Sequence, residues 1–119
     1  MASQRAQRVA ETIHKEISNL LIKGLKDPRI GFVTITEVDV SPDLRQAKVY
    51  YTLMGDAEER TRTQAGLDSS ASYIRQQLGR LLRLRYIPDV RFVYDESVDY
   101  GHRIDSLLED VKSDLQDDD

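Results

Sequence analysis

The sequence predicts a two-layer α+β domain, in which helices cover one face of a three-stranded sheet. The chain has 119 residues, a length that suits one compact domain with one hydrophobic core. Apolar residues recur at steps of three and four in its longer segments, and β-branched or alternating apolar residues mark shorter ones. The segments follow the order helix, strand, strand, helix, helix, strand, which is typical of an α+β arrangement.

The first helix is predicted over residues 3–26. Ser3 is a suitable N-cap, and Gly24 followed by Asp27-Pro28-Arg29 ends the helix, because proline disfavours helical geometry in the residue before it. Its apolar stripe consists of Val9, Ile13, Ile17, Leu20 and Leu21. The spacing of this stripe indicates a helix that buries one face.

Two strands follow, and together they predict an antiparallel hairpin. Residues 32–40 are rich in Val, Ile and Thr, and a shift in their apolar phase indicates a bulge near Glu37. Residues 41–43 are a turn signal, Ser-Pro-Asp. Residues 44–53 alternate apolar and polar side chains, so one face of this hairpin is expected to be buried.

A long helical region is predicted from the break at Gly55-Asp56 to about Arg85, with a third strand over residues 89–94. Its buried stripe is Leu67, Ala71, Ile74, Leu78 and Leu81. Residues 68–72 favour helix weakly, which indicates either a kink or the junction of two helices. We expect one domain over residues 1–108 and an acidic, disordered tail over residues 109–119.

Charge is distributed unevenly along the chain. The formal net charge is −4, but residues 92–119 carry ten acids and two bases, which leaves a net +4 on residues 1–91. Such asymmetry is typical of a basic binding surface followed by a solvating tail. The alternative is that the acidic end only aids solubility.

Several function classes find no support in the sequence. There is no Cys, so disulfides and thiolate zinc sites are excluded. Neither a membrane-spanning run nor a signal-peptide core is seen, so the expected location is the cytoplasm. His14 and His102 stand outside any ligand-spaced cluster, and Asp95, Glu96 and Asp99 are more typical of a solvated tail than of a magnesium site. We therefore expect no enzyme activity, no cofactor, no bound metal and no small-molecule substrate.

The segment most informative about function contains four arginines, Arg75, Arg80, Arg83 and Arg85, within eleven residues that include no acid. Arginine grips phosphate oxygens with a planar fork and stacks on bases. A solvated helix face usually alternates acids and bases, whereas this cluster has one sign. It lies in the basic part of the chain and favours binding of a polyanion. The alternative is an amphipathic helix with a charged outer face.

Four stretches, in this order and spacing, resemble the ribosome-binding factor A family over roughly residues 3–108. They are Arg8-Val9-Ala10, residues 25–31, residues 38–49 and residues 74–92, the last including the run Leu82-Arg83-Leu84-Arg85-Tyr86-Ile87-Pro88. The resemblance implies a type II KH-like fold with a helix–kink–helix. The chain contains no GXXG loop, and Tyr73 stands where the family's Ala-x-Gly kink has glycine, in Ala71-Ser72-Tyr73.

The resemblance also implies a role in assembly of the small ribosomal subunit. It implies a monomer that binds the free or immature subunit through ribosomal RNA, aids late maturation of that RNA's 5′ region and supports growth in the cold. The candidate phosphate contacts are Arg5, Arg8, Arg75, Arg80, Arg83 and Arg85. Three rival interpretations stay open: a general RNA-binding module, a protein adaptor that uses the acidic tail, and a small nuclease that uses Asp95 or Glu96.

Overall fold

A computed structural model describes residues 4–25 and 27–97. Within these residues the chain forms two helices and three strands. They are α1 (Gln4–Lys23), β1 (Val33–Val40), β2 (Gln46–Leu53), α2 (Ala57–Leu81) and β3 (Asp89–Tyr94). The predicted α+β class is confirmed. The acidic tail expected at the C-terminus lies outside the described residues, as do His102 and Asp99.

The sheet has the strand order β1-β2-β3. β1 and β2 are antiparallel, as the alternating pattern predicted, and their register shifts between Ile35 and Glu37, which confirms the predicted bulge. β3 pairs with β2 in parallel, with Gln46 opposite Asp89 at one end and Tyr51 opposite Tyr94 at the other. Helix α2 is the crossover that a parallel pair requires.

Both helices pack on the same face of the sheet and share one core. α1 contributes Ala6, Val9, Ile13 and Ile17, and α2 contributes Leu67, Ile74 and Leu78. From the strands come Ile35, Val40, Ala47, Val49, Tyr51 and Phe92. The intervening strand residues, such as Lys48 and Arg91, are exposed on the opposite face. Burying one face of an antiparallel hairpin and leaving the other solvated accounts for the alternation seen in the sequence.

Helix α1 ends at Lys23, three residues before the predicted end. Gly24 has φ +86°, and its N–H donates to the Leu21 carbonyl oxygen at 3.2 Å. A left-handed residue ends a helix, and glycine adopts this conformation at little cost. The chain then turns through Asp27-Pro28-Arg29 and packs against α2 at Gly66.

Helix α2 is one element where the sequence allowed two. It begins at the N-cap Asp56, whose side chain accepts from the Glu59 N–H at 2.8 Å, and continues unbroken through Ala71-Ser72-Tyr73. The weak helix formers in this stretch do not break the helix, because Gly66, Leu67 and Ile74 are buried against the rest of the domain. Tertiary packing outweighs low local propensity here.

The C-terminal end of α2 differs from the prediction. The helix ends at Leu81 and not near Arg85, because Leu82 is extended, with φ −97° and ψ 126°. Leu81 was predicted to be buried but is 54% exposed, and Leu82 packs against the core in its place. As a result Arg83 and Arg85 lie in the connection to β3 and not on the helix.

Candidate nucleic-acid interface

The parallel pairing of β2 and β3 brings three chain segments together at one end of the sheet. The Asp89 N–H, at the start of β3, donates to the Arg45 carbonyl oxygen just before β2 at 2.8 Å. The connection that leaves α2 must reach the same point, because it leads into β3. This end of the domain therefore collects the C-terminal turn of α2, residues 82–88 and the turn between β1 and β2.

The turn between β1 and β2 is held by side-chain hydrogen bonds that fix Arg45. Asp43 accepts from the Ser41 hydroxyl at 2.6 Å and from the Arg45 N–H at 3.0 Å. The bond from Ser41, followed by that from Arg45, lowers the pKa of the Asp43 carboxyl. Leu44 adopts φ 62°, an unusual conformation for leucine, and its side chain packs on the core. Arg45 therefore leaves the turn in a defined direction.

Arg45 and Arg85 approach the ring of Tyr86 from two different segments. Their guanidinium carbons lie 5.8 Å and 5.6 Å from the ring centroid, within the range of cation–π attraction. The Tyr86 side chain is still 59% exposed. Beside it lies a cleft of about 180 Å³, which is lined by Arg5, Asp43, Leu44, Leu84, Arg85 and Tyr86.

Arg80 and Arg83 lie next to this cleft along the chain, at the last turn of α2 and in the connection that follows. Both side chains are exposed. Neither forms a hydrogen bond or ion pair with another residue in the described part of the chain. Arg80 is placed where the α2 dipole favours a cation. Their guanidinium groups keep their full donor capacity for a ligand.

Arg75 differs from the other predicted contact residues. Its Nε and Nη2 donate to the Ile87 carbonyl oxygen at 3.3 Å and 3.1 Å, and its Nε lies 3.5 Å from Asp89 Oδ1. The guanidinium thus joins the middle of α2 to the residues that enter β3. Half of the side chain is exposed, but its first role is to hold the connection in place.

The structure brings Arg5, which is on the first turn of α1, into the cleft with Arg85, although eighty residues separate them in sequence. Arg8 lies one turn further along α1, is exposed, and does not line the cleft. Of the six candidates, Arg5 and Arg85 therefore share one cleft, and Arg80 and Arg83 lie close to Arg85 in sequence. Arg75 and Arg8 stand apart.

Sequence reasoning missed Arg45 and Tyr86. Both are exposed; Tyr86 lines the cleft and Arg45 approaches its ring. Arg45 belongs to a turn and Tyr86 to a connection, where periodicity gives no signal. Their proximity follows from the parallel pairing of β2 with β3, which places the two strand beginnings side by side. The alternation of β3 predicted a strand but did not reveal its partner.

Other candidate groups have structural roles. Asp95 accepts from the Thr36 hydroxyl and from the Ser97 N–H, which ties the end of β3 to β1. The Tyr51 hydroxyl donates to Gln64, and burial raises the pKa of Tyr51 to about 12. Within residues 4–25 and 27–97, no group of three or more His, Asp or Glu residues is placed to hold a metal ion.

Comparison with known proteins identifies the family of this chain. The sequence profile of ribosome-binding factor A matches residues 5–108. The chain belongs to the ribosome-binding factor A family. Ribosome-binding factor A of Geotalea uraniireducens is 53% identical over 116 residues, which cover 98% of this chain and 95% of that protein. The Geobacter sulfurreducens protein is 50% identical over 115 residues, which cover 97% and 98%.

Solved structures of the family show the same fold. The solution structure of a Thermotoga maritima protein superposes with a TM-score of 0.68 at 32% identity and covers 78% of this chain and 89% of that one. The crystal structure of ribosome-binding factor A from Thermus thermophilus superposes with a TM-score of 0.63 at 21% identity, covering 75% and 94%. These structures have a KH-like fold, so the fold implied by the sequence resemblance is confirmed. The helix–kink–helix that the resemblance also implied is not seen, because α2 continues unbroken through Ala71-Ser72-Tyr73.

No helix in the described part of the chain is long and apolar enough to cross a membrane.

Proposed function

We propose that this chain binds the free or immature small ribosomal subunit through its ribosomal RNA and aids late maturation of the 5′ end of that RNA. Family membership over residues 5–108 supports this proposal. A Thermus thermophilus ribosome binding factor A has been fitted into the cryo-EM map of a 30S complex, and it shares the fold of this chain with a TM-score of 0.56 at 21% identity. The proposed site of action is the cytoplasm.

One observation supports RNA as the ligand more than any other: the exposed arginines at the end of the sheet where β2 and β3 begin. We name Arg5, Arg45, Arg80, Arg83 and Arg85 the basic end. The nearest acid that lines the cleft is Asp43, and its carboxylate is engaged by Ser41 and by the Arg45 N–H. Among residues 4–25 and 27–97, the positive charge of the basic end therefore exceeds the negative charge that lines the cleft, which favours a polyanion.

The proposed mechanism involves binding and no bond-making step. Guanidinium forks contact phosphate oxygens and release counterions from the RNA, so affinity falls as salt rises. The protein, acting as a monomer, favours the RNA conformation that places phosphates opposite the basic end. It shifts the population toward that conformation only by the difference in its affinity for the two states. A factor of this kind matters most at low temperature, where RNA leaves its misfolded conformations slowly.

Sedimentation with ribosomal particles tests the proposal. The purified protein is run on sucrose gradients with free small subunits, complete ribosomes and an unrelated structured RNA, at a low and a high salt concentration. The test variant carries Arg80→Ala, Arg83→Ala and Arg85→Ala. The control variant carries Lys15→Ala, Lys23→Ala and Arg62→Ala, which removes the same charge from exposed positions away from the basic end.

We expect co-migration with free small subunits only, loss of binding in the test variant and retention in the control. Equal binding to every RNA would replace the proposal with a general RNA-binding module. Equal losses in the two variants would show that net charge matters and the basic end does not. Binding that survives in the test variant but depends on residues 109–119 would favour a protein adaptor. RNA cleavage that stops when Asp95 is changed would favour a nuclease.

A further inference from the structure

The aromatic ring of Tyr86 lies among the arginines of the basic end. Its environment differs from that of Tyr94, whose ring also lies next to an arginine. Arg60 lies 3.8 Å from the centroid of the Tyr94 ring, which closes that face. At Tyr86 the two guanidinium carbons stay more than 5.5 Å away, and the side chain is 59% exposed. The ring of Tyr86 is therefore flanked by charge but not covered by it.

The charge around the ring is strongly unbalanced. Arg45 and Arg85 converge on Tyr86, and Arg5 lines the cleft beside it. Asp43, the acid in the same cleft, accepts from Ser41 and from the Arg45 N–H, so it is fixed in the turn. Three guanidinium groups around one carboxylate repel each other unless an anion lies between them. The cleft favours a ligand that carries both a flat aromatic surface and a negative charge.

We infer that the Tyr86 ring is a stacking platform for one unpaired RNA base, with Arg5, Arg45 and Arg85 around it to contact the adjoining phosphates. A nucleotide within a strand supplies the aromatic plane and the charge together. A paired base is stacked in its own helix and is not available, so the site selects single-stranded RNA. This inference rests on the proposed function, because it names the RNA element that the basic end takes.

The ring is held by its neighbours in a manner that suits this role. Ile87 and Leu84, on either side of the Arg85-Tyr86 pair, pack against the core. The Arg75 guanidinium donates to the Ile87 carbonyl oxygen, and the Asp89 N–H donates to the Arg45 carbonyl oxygen. The backbone on both sides of the cleft is thus fixed before a ligand arrives, which reduces the entropy lost on binding.

A single tryptophan provides the test, because the chain contains no Trp. The variant Tyr86→Trp places the reporter in the cleft. The control Tyr73→Trp places it on α2, where the tyrosine is 50% exposed, a similar fraction. Each variant is titrated with a six-nucleotide oligoadenylate, a blunt RNA duplex, inorganic polyphosphate and free adenosine monophosphate, and tryptophan fluorescence is measured. Binding is followed in parallel by competition against a labelled oligonucleotide.

We expect the oligonucleotide to quench Trp at position 86 in a saturable manner and to leave Trp at position 73 unchanged. Duplex and polyphosphate should compete for binding without quenching. In the native background, Tyr86→Leu should weaken oligonucleotide binding about fivefold or more, and Tyr86→Phe should change it less than twofold, because stacking needs the ring and not the hydroxyl.

Two results would overturn the inference while the proposed function stands. One is saturable binding of the oligonucleotide without quenching at position 86, together with native affinity in Tyr86→Leu. The other is quenching by adenosine monophosphate at the same concentrations as by the oligonucleotide, which would indicate a mononucleotide site. If the unaltered protein binds neither the oligonucleotide nor small subunits, the proposed function fails and the inference fails with it.

Discussion

Four arginines of this domain form two groups with opposite surroundings. Arg29 donates through Nε and Nη2 to the two carboxylate oxygens of Asp27 at 3.0 Å and 2.7 Å, and Nη2 also donates to Ser69 at 3.0 Å. Arg75 donates to the Ile87 carbonyl oxygen. Arg80 and Arg83 contact no polar partner in the described residues. We call Arg29 and Arg75 the engaged arginines, and Arg80 and Arg83 the open arginines.

The difference shows that one residue type serves two purposes here. An engaged guanidinium donates its hydrogen bonds to protein oxygens and thereby fixes a loop. An open guanidinium keeps all its donors in water, and it gains charge-assisted hydrogen bonds only when an external anion arrives. The engaged arginines should therefore determine stability, and the open arginines should determine binding.

Removal of the open arginines has the largest expected effect. The double variant Arg80→Ala/Arg83→Ala should lose about tenfold in RNA affinity, and the slope of log affinity against log salt should become shallower by about 1.4, since each lost contact removes about 0.7. The slope is measured by fluorescence anisotropy between about 50 mM and 200 mM salt. Thermal stability should change little, because neither side chain has a polar partner among the described residues and only the interaction of Arg80 with the α2 dipole is lost.

The matched control for this pair is Arg80→Lys/Arg83→Lys, which keeps the charge and loses the fork. Its salt slope should equal that of the unaltered protein, while its affinity falls by less. An unchanged slope in the alanine variant would place the phosphate contacts elsewhere on the domain.

The loop held by the engaged Arg29 also depends on Gly66, and a substitution there sharpens the comparison. A Cβ at Gly66 would lie 2.7 Å from Ile30 Cγ1, closer than real contacts, and 3.3 Å from Arg29 Cβ, a tight contact. Gly66→Ala should destabilise the domain by about 1–2 kcal/mol, because the cost of overpacking exceeds the gain in helix propensity. Chemical denaturation measures the difference.

Gly79, on the same helix, is the control for this steric argument. A Cβ there would lie 3.4 Å from Ile87 Cγ1, an ordinary contact. Gly79→Ala should therefore stabilise the domain by up to about 1 kcal/mol through helix propensity alone. If the two substitutions shift stability in the same direction, close packing of the Arg29 loop against α2 is wrong.

Arg75→Ala should lower stability more than RNA binding, the opposite of the effect expected for the open arginines. It removes both hydrogen bonds to Ile87, so the domain should lose about 1 kcal/mol, or about 4–8 °C in the midpoint of thermal unfolding. RNA affinity should change less than in the open-arginine double variant. Arg75→Lys should recover part of the stability, because its ammonium still reaches a carbonyl or Asp89. A stable Arg75→Ala protein with poor RNA binding would move Arg75 into the open group.

The sequence predicted the elements of the fold well because their causes are local. β3 has the predicted bounds, and the bulge in β1 lies where the apolar phase shifts near Glu37. Alternation and β-branching depend on which face of a strand is buried, and that information is contained within a few residues. The continuity of α2 through residues 68–72 was harder to foresee, because it depends on packing between Gly66 and the loop at Arg29.

The candidate site was predicted only in part, for a similar reason. The unmixed sign of the arginine run predicted a binding surface, but it did not separate Arg75 from Arg80. That distinction depends on the Ile87 carbonyl oxygen, twelve residues away and aimed back at the helix by the turn into β3. Arg45 and Tyr86 become neighbours only through a parallel pairing, which no local pattern encodes.

The engaged Arg29 predicts one effect of pH, the smallest of these. Its side-chain hydrogen bonds to Asp27 lower the pKa of that carboxyl to about 2, below the value of about 3.9 in an unfolded chain. The folded state therefore holds Asp27 ionised more readily than the unfolded state does. The resulting stability is complete above about pH 4 and is lost as the pH falls toward 2.

Asp27→Asn lacks this titration, so its melting temperature should fall less than that of the unaltered protein between pH 5 and pH 2.5. At pH 7 the variant should have the lower melting temperature of the two. Thermal unfolding monitored by circular dichroism across this range measures the difference. Parallel curves for the two proteins would show that Arg29 is held by Ser69 and packing alone, and the engaged group would then owe its stability to geometry and not to charge.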